Sequence, residues 1–222
     1  MPGRKTSGRG SVRPPSPLPE DTPWSLIVYR VPTDSSRARV AVWRDLKRLG
    51  GLYLQQCVCV LPKTPRTDDE LAAIRERVAE FGGTSNLFEI SVDPQQRADL
   101  IADFQALAVR DYAEIIEECE TKFVKEIEFE RFRGNYTFEE VEEIRHDLEK
   151  IRRWFGRVVD RDWFGGPGRK EAETWIERCA ALLDAFEEEV YTKTAEGDAQ
   201  PQASASTGVR PQKTRGDASN GG

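Results

Sequence analysis

The apolar residues of this chain change their period at Pro94, so neither an all-helical nor an all-strand fold accommodates both halves. Ahead of Pro94 lie short β-rich runs closed by proline or by Gly-Gly. Trp24 to Tyr29 is a nearly continuous β-prone run ended by Val31-Pro32, which predicts a strand covered on both faces and central in its sheet. Thr33, Asp34, Ser35 and Ser36 supply capping groups for a helix from about 37 to 49, and Gly50-Gly51 stops it. Residues 52–61 alternate and end at Pro62, as one long strand or as two broken near Gln55 and Gln56. Asp68 is the expected cap of a second helix over 69–81, closed by Gly82-Gly83, and a last strand follows at 86–92. The order β-α-β(β)-α-β predicts a small ferredoxin-like sandwich, two helices lying on one face of an antiparallel sheet.

Behind Pro94 every long segment has helical period. Leu100, Phe104, Leu107, Tyr112, Ile115, Cys119 and Phe123 recur at helical steps over 95–130. Thr137 and Glu140 stand at capping-box spacing ahead of a stripe of Val141, Ile144, Leu148, Ile151 and Phe155. Beyond Gly165-Gly166-Pro167-Gly168 a third helix is expected to bury Trp175, Cys179, Leu182, Phe186 and Val190. The fold class expected is therefore α+β, a sandwich over 24–94 with an appended three-helix bundle over 95–194. Residues 1–23 and 195–222 are rich in small and polar residues and poor in apolar ones, and are expected to be disordered tails. With no long apolar run and no apolar export segment at the N-terminus, a cytoplasmic location away from membranes is expected.

Charge sharpens the expectation about partners. The formal net charge of −6 disfavours an anionic partner until it is resolved along the chain, where it is +8 before Thr67 and −14 from there on. Residues 24–66 hold eight bases against Asp34 and Asp45. On a helical projection with Arg37 at the origin, Arg48 falls at about 20°, Arg44 at about 340° and Lys47 at about 280°. Ala38, Val42, Trp43, Leu46 and Leu49 take the opposite arc as the expected core face. Arg37, Arg44, Lys47 and Arg48 thus form a basic ridge without acids of its own, suited to tracking a phosphate backbone. A second reading places an oxyanion at the start of the same helix, held by Arg30, Ser35, Ser36, Arg37 and Arg39 with the free amides of the first turn.

Little else carries chemistry. Cys57, Cys59, Cys119 and Cys179 are too few and too scattered for a disulfide framework, and Cys57 and Cys59 are expected to share one buried face of a strand. The lone His146 has no histidine partner, and the pairs Glu139-Glu140, Glu142-Glu143 and the run Glu187 to Glu189 read as solvated helix faces. Neither a phosphate-binding loop nor a nucleophile elbow is present, so no catalytic residue, metal or cofactor is expected.

Four stretches, WSLIVYRVP at 24–32, SRARVAVWRDLKRLGGLYLQQCVCVLP at 36–62, YTFEEVEE at 136–143 and DRDWF at 160–164, resemble the N-terminal domain of the ChrB family. The resemblance implies a cytoplasmic, chromate-responsive regulator of transcription, acting on an operon that encodes a chromate efflux transporter. Members typically continue into a second globular domain, which this sequence is expected to lack. The sandwich is also similar to the fold of small CRISPR-adaptation nucleases, whose aspartate at the end of the first strand is replaced here by Tyr29 and Arg30. The expected function is a non-enzymatic regulator that binds DNA, with chromate as a candidate effector and a homodimer as the acting form. The alternative is an oxyanion-binding accessory protein of chromate resistance that does not touch DNA.

Overall fold

The computed structural model describes residues 17–32 and 36–198, with the backbone alone for 196–198. Residues 1–16 and 199–222, and Thr33, Asp34 and Ser35 with their expected capping role, lie outside the described residues. The elements run β1 (Trp24–Arg30), α1 (Ser36–Arg48), β2 (Leu52–Gln55), β3 (Val58–Pro62), α2 (Pro65–Glu80) and β4 (Thr84–Ile90). There follow α3 (Pro94–Glu118), a π turn (Cys119–Phe123), α4 (Val124–Arg133), α5 (Phe138–Arg161) and α6 (Arg169–Asp198).

The strands form one four-stranded antiparallel sheet in the order β2-β3-β1-β4. β1 is central, as its apolar run predicts, but its two faces are not equally covered. Ser25, Ile27 and Tyr29 are buried, whereas Leu26 and Val28 are half-buried and Phe88, opposite Leu26 on β4, is 50% exposed. At the head of β1, Trp24 is enclosed by Phe104 and Phe164, with ring centroids 5.7 and 5.4 Å away. Ile27, Cys59 and Leu61 share a core with Ala38, Val42 and Leu46 of α1 and Leu71, Ile74 and Val78 of α2.

Both sandwich helices close on the expected glycine pairs. Gly50 and Gly51 donate to the carbonyls of Lys47 (3.0 Å) and Leu46 (2.8 Å), and Gly82 and Gly83 repeat the pattern on Ala79 and Val78, a Schellman close at each end. The break near Gln55 and Gln56 makes two strands of 52–62. Cys57 sits in that turn at φ +66°, so it does not share a strand face with Cys59 as expected. Of these two, Cys59 is fully buried and Cys57 only partly, and burial pushes the Cys59 thiol up to about 12.

The α2 cap also differs from the expected Asp68. Thr64 is the cap: its hydroxyl accepts from the Thr67 amide at 3.1 Å while the Thr67 hydroxyl accepts from the Thr64 amide at 2.8 Å. Pro65 then opens the helix four residues earlier than read from sequence, and Asp68 pairs with Lys63 at 3.5 Å.

Behind the sandwich, the long helices pack on a second core that includes Tyr112, Ile115, Val141, Ile144 and Leu148. α6 buries Ile176 and Leu183 with Cys179, Phe186 and Val190; Trp175 and Leu182, one position away, are only partly covered. Thr137 caps α5 through the Glu140 amide at 3.3 Å, but the Glu140 carboxylate accepts from the Asn135 side chain at 3.0 Å instead of closing a capping box. The carboxylates read as solvated are partly engaged: Glu189 receives Arg131 through two hydrogen bonds of 3.0 and 2.7 Å, and Glu187 receives Arg145 at 2.7 Å. Residues 18–23, assigned to a tail by composition, lie against the body, with Leu18 donating to the Trp163 carbonyl (2.7 Å) and Pro23 accepting from Lys63 (2.7 Å).

Candidate functional site

α1 presents its charged side chains outward because Ala38, Val42 and Leu46, at helical spacing, commit the opposite side to the sheet. Arg37, Arg44 and Arg48 are exposed and Lys47 is half-buried, its ammonium 5.8 Å from the Tyr53 ring centre. Two features of the ridge depart from the sequence reading. Trp43, expected in the core, is 48% exposed beside the cations. Arg48 finds acids from tertiary structure, Glu70 of α2 at 3.2 Å and Asp45 at 3.9 Å, while Asp45 also pairs with Arg77.

The ridge is one wall of a cleft of about 460 Å3. Trp43, Arg44, Lys47 and Arg48 of α1 line one side; Arg66 of α2 and Arg157, Asp160 and Arg161 of α5 line the other. A smaller, more enclosed recess of about 340 Å3 continues from Trp43, Lys47 and Arg161 toward Gly50, Gly51 and Asp111. Six cations therefore face one acid in the larger cleft. Concave walls of one sign focus the potential, and at ~0.15 M salt a Debye length of ~8 Å screens the distant acidic helices from it.

The second wall is held by contacts that converge on the end of α5. The Trp163 indole donates to the Leu49 carbonyl at 3.1 Å, satisfying an orphan acceptor at the end of α1. Arg66 donates to the Asp160 carbonyl at 2.9 Å and lies 5.3 Å from the Trp163 ring centre. Arg161 is fixed by two hydrogen bonds to Asp111 of α3, 3.0 and 2.7 Å, and the buried Asp162 accepts from Tyr112 (3.0 Å) and from the Gly166 amide (2.9 Å). Arg66 and Arg161 are thus partly occupied in building the wall. Arg44 and Arg157 make no ion pair or hydrogen bond among the described residues.

Of the expected nucleic-acid contacts, Arg44, Lys47 and Arg48 line the cleft and Arg37 stands two turns away at the start of α1. In the oxyanion set, Arg30 is exposed at the end of β1, Ser36 and Arg37 are exposed at the start of α1, and Ser35 lies outside the described residues. Arg39 is half-buried and donates to the Pro32 carbonyl at 3.4 Å. Sequence reasoning missed Arg66, Arg157 and Arg161. Arg157 and Arg161 stand one turn apart at the end of α5, a legible pair, but nothing local indicates that this turn abuts α1. Among the described residues no group of side chains has the makings of a metal site, and no helix is long and apolar enough to cross a membrane.

Comparison with known proteins bears on the same region. The model of the family described as Protein ChrB, N-terminal, matches residues 39–197 and so takes in both walls of the cleft. The curated Protein ChrB of Cupriavidus metallidurans strain CH34 is 32% identical over 172 residues, covering 75% of this chain and 48% of that relative. The chain therefore spans about half the length of the curated relative it matches. No solved structure matches it.

Proposed function

The chain belongs to the ChrB N-terminal family, and from that premise we propose that it is a non-enzymatic regulator of chromate resistance that holds DNA against the basic surface of α1, α2 and α5. The observation that carries this reading is the cleft with six cations and one acid, in a chain whose total charge is negative. Such a surface gains affinity for a polyanion by releasing condensed counterions, and it needs no complementary charge elsewhere on the protein. The strand order β2-β3-β1-β4, with α1 and α2 joined to the buried side of the sheet, supports a ferredoxin-like sandwich as the platform for that surface. Chromate is the effector in this reading, and the regulator acts as a homodimer joined through the less covered sheet face.

The test is a titration of labelled promoter DNA from the chromate-resistance operon at several salt concentrations. Four to six phosphate contacts give a slope of log K against log[salt] of roughly −4 to −5. Arg44→Glu with Arg157→Glu, both free of structural contacts, lowers affinity by about tenfold or more and flattens the slope. A flat salt dependence in the wild type, or an unchanged double variant, overturns the reading.

The second reading, an oxyanion-binding accessory protein that never touches DNA, draws on the exposed Arg30, Ser36 and Arg37. It requires saturable heat with chromate or sulfate in calorimetry, lost in Arg37→Ala, together with no DNA binding at any salt.

A further inference from the structure

Trp43 is the residue of the cleft that electrostatics does not explain. A tracker of duplex phosphates needs cations at spacing and gains nothing from a bare indole, yet Trp43 is 48% exposed and has no aromatic or cation–π neighbour among the described residues. It stands one turn before Lys47 on α1, and it lines both the cleft and the recess that continues from it. Exposure of a large aromatic costs apolar hydration that a Lys or Glu at the same site avoids.

We infer that the cleft seats an unpaired nucleotide of a nucleic-acid strand, its base stacked on Trp43 and its flanking phosphates held by Arg44 on one wall and Arg157 on the other. Cations alternating with an aromatic platform are the means by which single strands are held without reading sequence, since every base offers a π face and every linkage a phosphate. A paired base turns its faces toward its neighbours in the stack and offers none to an indole. The cleft of about 460 Å3 lies within the ~300–1,000 Å3 of sites that enclose an organic ligand, far more room than a tetrahedral oxyanion fills. The inference rests on the DNA-binding reading and narrows it: the DNA held by this surface is unpaired where it enters the cleft, as at a melted or distorted promoter.

The experiment uses the full chain, a fluorescein-labelled oligothymidylate, thymidine monophosphate, and the promoter duplex in parallel. Oligothymidylate is expected to bind saturably and to quench part of the emission of the five tryptophans, and Trp43→Phe removes that quench while retaining most of the affinity. Trp43→Ala weakens oligothymidylate binding by roughly 5- to 150-fold, the loss of one stacked base. Circular dichroism establishes that each variant is folded, which is expected for substitutions at half-exposed positions. An unchanged oligothymidylate affinity in Trp43→Ala, or an unchanged quench in Trp43→Phe, overturns the inference. So does thymidine monophosphate binding as tightly as the oligomer, which would make the ligand a free nucleotide. No oligothymidylate binding with the promoter duplex still held overturns this inference and leaves the regulator reading standing; the reverse pattern overturns the regulator reading and leaves the single-strand site.

Discussion

Gly50 joins the two walls of the cleft at a single residue. Its φ of +79° closes α1, and a Cβ built there would lie 2.7 Å from both the Cβ and the carbonyl oxygen of Arg161. The glycine pair is legible in sequence as a helix stop; that its missing side chain also makes room for α5 is not, because the partner lies more than a hundred residues on. Gly134 provides the comparison, at a similar φ of +67° with open space around it. Gly134→Ala therefore carries only the left-handed strain, ~1 kcal/mol, while Gly50→Ala adds displacement of the end of α5 for a total of ~2–4 kcal/mol. Thermal unfolding checks this: the Gly50 variant should melt roughly 4–16 °C below wild type and the Gly134 variant a few degrees below. Equal losses would mean that Gly50 acts through its backbone angle alone.

At the level of elements, the sequence was legible wherever local chemistry decides the outcome and illegible where packing does. The strand and helix order over 24–90, both Schellman closes and the Val141-to-Ile151 stripe of α5 follow from glycine pairs and apolar period, and they stand in the structure. The α2 cap went to Thr64 because the Thr64 and Thr67 hydroxyls each accept a backbone amide there and Pro65 has no amide of its own to leave unpaired. The π turn was invisible to a period of 3.6. Ile115, Cys119, Phe123 and Ile127 are all buried at a constant spacing of four, which in an α-helix drifts by about 40° per step, and one widened turn corrects the drift. Half of the site was legible for the same reason: its α1 wall is local sequence, its α5 wall is tertiary contact.

The helical elements also carry a titration. Burial, followed by the charges of Asp147, Glu140, Glu130 and Glu143, raises the Glu126 carboxyl above the ordinary carboxylate range. Of the cations lining the same hollow, Lys122 and Lys150 are paired to Glu118 and Asp147, and Arg157 lies near enough to offset only part of this effect, since the carboxyl stays raised. A carboxyl whose folded value is raised binds its proton more tightly when folded, so its stabilising contribution is present at low pH and is lost as pH rises through that raised value. Glu126→Gln should raise Tm near pH 7, and the gap to wild type should close as pH falls through the carboxylate range. An equal gap at pH 4 and pH 7 would assign the effect to packing, not charge.

For the whole molecule, the uneven cover of the sheet bears on assembly. Leu52, Val60, Leu26 and Phe88 face one another across four successive strands in register, so they form one row from edge to edge on one face. Val60 is buried and Leu26 half-buried within that row, but Phe88 at its β4 end is 50% exposed. An apolar row that ends in an open aromatic on an otherwise highly charged surface is the kind of patch that a second copy covers, and a two-fold axis near β4 would set Phe88 against its symmetry mate. That arrangement uses the face carrying Leu26, opposite the one on which α1 and α2 join the core through Ile27, so the proposed homodimer leaves the α1 ridge open. Sedimentation should therefore find a dimer in the wild type and a monomer in Phe88→Glu, since burying two carboxylates face to face costs several kcal/mol. Each monomer keeps its own cleft, so the variant should bind promoter DNA with a reduced salt slope instead of losing binding. A monomeric wild type at micromolar concentration, or a Phe88→Glu protein that still sediments as a dimer, would remove the sheet from the interface.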